Sequence, residues 1–312
     1  MATQHGKPAY GAAEGIVRLK SGGFTPQGSG WKALLAMVGT VIIGFIAGTR
    51  AIEVFTDGII GLVLWIVLIV ALWKLTPHVG RFVKARTVTS NPANKQFYAD
   101  IDRTYATLQN MAAGDRSITM DAFPGDQATW AIGGAQEIRV SKKLAHTFDD
   151  TYTVIDDIAL YKNGKVSANI DHLLLGPTCA LMIDTKVWKQ PLKFSTHPTY
   201  GGKYLTKGSP YWSAVATCVY EASFLPKEPG AIIFVVAGGA GKALAKSGPQ
   251  CVSHYVPKYG DTSDVKHTPC PVYFCATKDI AKTVRTVEEK LDPSRTGPIT
   301  IQQINRSRNI TY

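Results

Sequence analysis

The sequence predicts an α/β domain of helices and strands, preceded by a two-helix transmembrane hairpin. Two uncharged apolar runs, Ala33 to Thr49 and Gly58 to Trp73, predict the hairpin. A helical period at Ile132 to His146, followed by three strand-like runs, predicts the sheet domain. Within those runs Ile170 to Trp188 reads I-D-H-L-L-L-G-P-T-C-A-L-M-I-D-T-K-V-W, where charges interrupt apolar sequence. At 312 residues the chain is long enough for one or two domains plus appendages.

Residues 1–30 are rich in Gly, Ala and small polar residues, and Lys7, Arg18 and Lys20 outweigh Glu14. They read as a basic flexible tail, too polar for a signal peptide. The hairpin occupies residues 31–75. Each uncharged run is slightly short of the roughly 20 residues of a spanning helix, and Trp31, Lys32, Trp73 and Lys74 extend them as interfacial anchors. Basic residues flank both outer ends while the link Arg50 to Asp57 is mixed in charge. The positive-inside rule then places both termini in the cytoplasm, at the cell membrane. A buried helical hairpin in a soluble domain is the competing reading, but its helices would be apolar all round.

Residues 76–128 combine a basic juxtamembrane stretch, suited to anionic lipid, with an amphipathic helix opened by Asn91-Pro92. Its stripe is Phe97, Ile101, Tyr105, Leu108 and Met111, expected to pack on the downstream domain. That domain spans residues 129–292. Its first helix is expected to be entered through Gly133-Gly134. Glu137 lies on the Val140 and Leu144 side, which aims it inward; an acidic residue serving the helix dipole is the alternative. Thr151 to Tyr161 and Val166 to Leu175 form two strands around Asn163-Gly164, a type I′ hairpin signal. Thr178 to Trp188 is the third strand. Tyr211 to Leu225 reads as a helix, Ala231 to Ala237 as a buried strand, Cys251 to Val256 and Pro271 to Ala276 as strands, and Asp279 to Leu291 as a closing helix. Residues 293–312 are polar and read as a second flexible tail.

Side chains two apart on a strand share a face, so Asp184 and Lys186 point the same way, with Met182, while Leu181, Ile183 and Val187 take the other. Charges set into an apolar sheet are costly unless they pair or hold a metal. Glu137, Asp171 and Asp184 are therefore candidate ligands of a hard divalent cation, Mg²⁺ or Mn²⁺, completed by substrate phosphate. Lys186 beside them would orient water or neutralise charge on the phosphate. His172, next to Asp171, faces the opposite side and reads as a core histidine. The loop from Pro191 to Pro210 interleaves basic residues with tyrosines. Its Lys193, Lys203, Tyr204 and Lys207 are candidate nucleic-acid contacts, and a solvated loop is equally consistent. Val236 to Ala243 (V-A-G-G-A-G-K-A) lacks the first Gly and the hydroxyl of a P-loop, so no nucleotide cofactor is expected. Five cysteines, without a C-x-x-C pair, read as buried reduced thiols rather than disulfides or a zinc site.

Three stretches carry a resemblance: G-G-A-Q-E-I-R-V-S-K-K-L at Gly133 to Leu144, I-D-H-L-L-L-G-P at Ile170 to Pro177, and L-M-I-D-T-K-V-W at Leu181 to Trp188. They resemble the nuclease-related domain (NERD) family of the PD-(D/E)xK superfamily. The resemblance implies a restriction-endonuclease-like fold, a mixed sheet flanked by helices, and DNA processing, with Glu137, Asp171, Asp184 and Lys186 as the catalytic set. Asp184 departs from the Glu more usual there, and Thr178-Cys179 from a common Gly.

The expected partners are DNA and the lipid bilayer, with a homo-oligomer or membrane complex as a further option. The formal charge of +11 suits either anionic partner. The expected function is a membrane-anchored, metal-dependent nuclease hydrolysing DNA at the cytoplasmic face. The alternative is a non-catalytic membrane-anchored DNA-binding or assembly component of a DNA-transfer or defence system. Transport lacks a pathway, because the two apolar runs carry no charge.

Overall fold

A computed structural model of the chain describes residues 1–21, 35–42, 91–114, 123–163, 165–206, 211–257, 265–291, 297–307 and 310–312, with isolated positions 26, 44, 46, 67, 70, 71 and 209. The chain divides into two compact units, Met1–Ile16 with Thr104–Tyr312, and Val17–Arg103. Most of the expected hairpin, residues 31–75, lies outside the described residues. Among the described residues no helix is long and apolar enough to cross a membrane.

In the second unit, residues 35–40 are helical and Pro92–Arg103 begins the helix α2 (Pro92–Ala113). Asn91 caps that helix, accepting the Ala93 N–H on Oδ1 at 3.0 Å.

The first unit is built on a mixed sheet. Its strands are β1 (Thr3–His5), β2 (Thr153–Lys162), β3 (Lys165–Leu175), β4 (Ala180–Val187), β7 (Ala231–Ala237), β9 (Lys266–Ala276) and β8 (Gln250–Tyr255), neighbours in that order. A separate two-stranded ribbon pairs β5 (Phe194–Thr196) with β6 (Lys203–Leu205). β2, β3 and β4 form an antiparallel meander, β4, β7 and β9 run parallel, and β8 returns antiparallel on β9. Asn163 at the β2–β3 turn has φ 54°, the left-handed conformation a type I′ hairpin requires.

Helices cover both faces. α3 (Asp126–Thr147) and α6 (Ile280–Lys290) cover one, where Val140, Leu144, Val284 and Val287 meet Leu181, Ile183, Ile233 and Val235. α4 (Ala214–Ala222) and α5 (Gly238–Ser247) cover the other, where Val215, Ala222, Ala240 and Leu244 join Met182, Ile232, Phe234 and Phe274. Met182 thus takes the face opposite Leu181 and Ile183, as period-two alternation requires.

Three expectations are corrected. Gly133-Gly134 does not open α3, which begins about two turns earlier at Asp126. A Cβ on Gly134 would lie 3.0 Å from both the Ala12 Cβ and the Leu108 Cδ1, so this glycine serves close packing of α1 (Tyr10–Lys20) and α2 in mid-helix. Second, residues 1–20 are not a tail. β1 pairs parallel with β2, and Ala2, Ala9, Ala12, Ala13 and Ile16 are buried, because small residues let α1 approach closely. Third, part of 293–312 is folded. α7 (Ile301–Arg306) carries a capping box at Thr300 and Gln303, β10 (Ile310–Thr311) pairs with β2, and Ile299, Ile304 and Ile310 are buried.

The Gly-rich run at the start of α5 has a packing reason. Gly238 has φ +74°, and a Cβ on Gly239 would lie 1.9 Å from the Lys189 carbonyl oxygen. Only glycine lets the helix seat on the corner after β4.

Candidate active site

The ladder between β3 and β4 runs from Leu175–Ala180 to His172–Ile183 and stops there, while β4 stays paired with β7 through Val187. Where the two strands part, Asp171 Oδ2 accepts the Thr185 N–H at 2.7 Å. A backbone donor released by the splaying strands is thus satisfied by a carboxylate. β2 and β3 are irregular at the same level. Register places Asp157 opposite Asp171, between the pairs Asp156–His172 and Ile158–Ile170, and Asp157 has φ 55°. A non-glycine residue in the left-handed region within a strand costs of order 1–3 kcal/mol and persists only where its surroundings hold it. Asp157 is held by the Gly11 N–H at 2.6 Å on Oδ2 and the Asn169 side-chain amide at 3.1 Å on Oδ1.

Asp184 and Lys186 share a face of β4. The Lys186 Nζ lies 2.8 Å from Asp184 Oδ1, 2.7 Å from Asp184 Oδ2 and 3.9 Å from Asp171 Oδ2. The Oδ2 contact is an ion pair without hydrogen-bond alignment, which leaves that buried oxygen short of a directed donor. Burial pushes the Asp184 carboxyl up to about 6 against the pull of Lys186. Lys186 moves the other way. Burial disfavours its charge, but Asp184 and Asp171 outweigh it, so the ammonium is held more firmly than usual.

Glu137, half-buried on α3, belongs to the same group. Burial and then the Asp171 charge raise its carboxyl well above the ordinary range, opposed by Lys186. The inward reading of Glu137 is the one its surroundings fit. The structure brings Asp171, Asp184 and Lys186 together, with Glu137 near enough for their charges to act on it.

Two further carboxylates escaped the sequence reading. Asp157 is one. The other is Glu221, near the end of α4, buried, with Oε2 lacking a hydrogen-bond partner among the described residues. Asp184, Cys218 and Glu221 offer ligand atoms that all lie within 4.8 Å of one another. Burial and then Asp184 and Asp171 push Glu221 up to about 8. The available signal was a carboxylate on the Val215 and Cys218 side of an otherwise apolar helix.

Behind the site, Asp156 is fully buried and saturated. Its Oδ2 accepts Gln4 Nε2 at 2.7 Å and Ser141 Oγ at 2.8 Å, and its Oδ1 lies 2.6 Å from His172 Nδ1. His172 Nε2 in turn lies 3.2 Å from Thr185 Oγ1. Burial lowers the His172 pKa, yet the Asp156 bond and charge outweigh it and the net direction is up. His172 is therefore the far-face residue its position next to Asp171 implies, bracing β2, β3 and β4 behind the carboxylates.

The candidate nucleic-acid residues lie elsewhere. β6 packs against β8, three strands from β4 in the sheet order. Lys203 is exposed there, with Nζ 3.1 Å from Gln250 Oε1, and Tyr204 is half-buried. Lys193 is exposed at the start of the ribbon and Lys207 lies outside the described residues. The expected loop beside the site is in part this ribbon, carried away because Phe194 packs on Phe274 (5.5 Å between rings) and Leu205 enters the core. Four of the five cysteines are buried and Cys251 is exposed.

The donor set fits a hard divalent cation. Among the described residues, Glu137, Asp171, Asp184 and Glu221 face the ammonium of Lys186, and burial first and neighbouring carboxylates second raise Glu137, Asp184 and Glu221. Cys218 adds little, since burial raises its thiol well above the usual range and a protonated thiol is a poor ligand.

A family model described as "Nuclease-related domain" matches residues 132–225, from early α3 through the end of α4. No curated protein matches the chain, and no solved structure does. The matched segment contains all four carboxylates facing Lys186, and Lys186 itself.

Proposed function

We propose that the chain is a membrane-anchored, metal-dependent nuclease that hydrolyses DNA phosphodiester bonds at the cytoplasmic face. The observation that carries the reading is the convergence of Glu137, Asp171, Asp184 and Lys186 where β3 and β4 part, inside the segment matched by the nuclease-related domain.

Asp171, Asp184 and Glu137 would hold Mg²⁺ or Mn²⁺, with Glu221 in reserve behind Asp184. The chemistry such a cation would supply is polarisation of a phosphoryl oxygen and a lowered pKa for water. Lys186 stays charged at working pH and therefore cannot serve as the general base. Its role is to offset charge developing on the scissile phosphate, in a site dry enough for that to count. Asp171 acts twice, as ligand and as the group that fixes the Thr185 backbone. The Asp156–His172–Thr185 chain keeps β3 and β4 at the separation this needs.

Anchoring rests on the uncharged runs Ala33 to Thr49 and Gly58 to Trp73 and the basic residues outside them, which favour a hairpin with both ends cytoplasmic. The second reading is a non-catalytic, membrane-anchored DNA-binding or assembly component. It is favoured by the Lys186 ion pair with both Asp184 oxygens, which occupies ligand positions.

The test is incubation of the detergent-purified full chain with supercoiled and linear DNA in Mg²⁺, Mn²⁺ or EDTA, beside Asp184→Ala and Lys186→Ala. Metal-dependent cleavage lost in both variants supports the nuclease. DNA bound equally by all three proteins and never cut moves the assembly component to the front.

A further inference from the structure

A second histidine-rich cluster lies far from the carboxylates, where the β5–β6 ribbon meets β8 and β9. His254 on β8 and His267 on β9 are direct cross-strand partners, placed side by side by a register shift after Val252. Their Nε2 atoms are 3.2 Å apart, and their ring centroids 3.9 Å. His254 is almost wholly buried at 1% exposure, whereas His267 is exposed. The sequence offered no sign of this pair, which is separated by twelve residues and brought together only by the β8–β9 pairing.

From this geometry we propose that His254 and His267 form a binding site for a borderline transition-metal dication of the Zn²⁺ class. Two imidazole nitrogens on one tetrahedral Zn²⁺, each about 2.0–2.1 Å from it, stand about 3.3–3.4 Å apart. The observed Nε2 separation is close to that, while the ring centroids, 3.9 Å apart, must open to about 5 Å for both lone pairs to converge, a turn the exposed His267 side chain can make. The tautomer is also prepared. Ser253 Oγ lies 3.0 Å from His254 Nδ1 and can take its proton, leaving the Nε2 lone pair free to ligate. Such outer hydrogen bonds orient metal-bound histidines generally.

His197 completes the surroundings without being a ligand. Its Nδ1 accepts the Thr199 and Tyr200 N–H groups, both at 3.2 Å, so in the neutral ring Nε2 bears the proton. Its ring stacks on His254 at 5.4 Å and on Tyr200 at 5.0 Å. Gly202 brings this ribbon close: its φ is +72° and an added Cβ would lie 3.0 Å from His254 Nδ1. The ribbon therefore walls one side of the histidine pair, and His267 is exposed, so water can finish the coordination shell. Imidazole donors select Zn²⁺, Cu²⁺ or Ni²⁺ over Mg²⁺, so this site and the carboxylate centre would take different ions.

The competing reading is a plain N–H···N hydrogen bond between the rings. To separate the two, the full chain is purified in detergent without a polyhistidine tag, stripped with EDTA and titrated with Zn²⁺ by calorimetry. Co²⁺ absorption reports the coordination. A Zn²⁺ site should persist in Asp184→Asn, where the carboxylate centre is crippled, and His267→Ala should weaken that site by about tenfold or more. His267 is exposed, so its replacement leaves the fold intact, and melting without metal verifies this. Absence of binding by the wild type at about 100 µM Zn²⁺, weaker than any useful imidazole site, overturns the proposal. So does a loss of less than tenfold in His267→Ala.

Discussion

The Lys186 ammonium lies within 4 Å of two carboxylates and compensates both. Lys186→Ala removes that charge while Asp184 stays buried at 4% exposure. Cleavage should fall by about 10²–10³ in kcat, the cost of losing one preorganised charge stabiliser, and a single-turnover assay of DNA cleavage reads it. A variant cutting at more than half the wild-type rate would remove Lys186 from the chemistry. Glu221 makes a different prediction. Its carboxyl rises in the fold from 4.5 to about 8. Between those values the native state holds a proton that the unfolded chain has released, so stability is full below pH 4.5 and declines as pH climbs to 8. In EDTA, Glu221→Gln should therefore be more stable than wild type at pH 8 by roughly 2–4 kcal/mol, and equal to it near pH 4.5. Urea unfolding at both pH values checks this, and equal stability at pH 8 would show Glu221 to be solvated. Asp171, Asp184 and Lys186 were legible because charges stand out in an alternating strand. Glu221 was not, since a carboxylate on a helix face has many solvated explanations until the helix phase is known.

At the scale of elements, the three-strand meander followed from period two and one Asn-Gly pair, and β7 from a seven-residue apolar run. The two ends of the chain were misread for a common reason. β1, α7 and β10 are short, with apolar side chains too sparse for a periodic signal, and β1 and β10 are strands only because β2 offers an edge to pair with. Ile304 tests one of these elements. It is fully buried in a six-residue helix, and Ile304→Ala should cost about 2–4 kcal/mol. A loss below 1 kcal/mol in urea, within the ordinary range for surface changes, would mean that α7 does not seal the sheet. The Asp156–His172 pair tests the brace behind the site. Asp156→Ala strands a buried imidazole together with the Gln4 and Ser141 donors, and breaking such a pair costs about 3–5 kcal/mol. His172→Ala made in the Asp156→Ala background should then cost less than it does alone, because the partner that made it costly is already gone. Strictly additive losses in that double-mutant cycle would show that the two residues do not act as a pair.

At the scale of the whole molecule, the first unit closes around residues that the sequence separates by almost ninety positions. Met1–Ile16 belongs with Thr104–Tyr312, so Val17–Arg103, which contains the expected hairpin, is an insertion in the chain of that unit. A fragment starting near residue 87 is the simplest way to separate the site from the expected hairpin. It would also discard β1, the Gln4 amide on Asp156 and the Gly11 N–H on Asp157. Asp156 would keep Ser141 and His172 but lose a donor, and Asp157 would hold φ 55° without its shortest hydrogen bond. Each of these two carboxylates, on a strand that frames Asp171, loses one hydrogen bond, worth about 1–3 kcal/mol for a bond to a charged group. The fragment should therefore melt at least 5 °C below the full chain in the same detergent, taking about 1 kcal/mol as several degrees for a domain of this size. Its metal-dependent cleavage should fall in parallel. Adding a peptide of residues 1–21 should restore part of both, because β1 needs only the free edge of β2 to dock. A fragment that melts with the full chain and cuts as fast would show that the N-terminal strand decorates the sheet without holding the site.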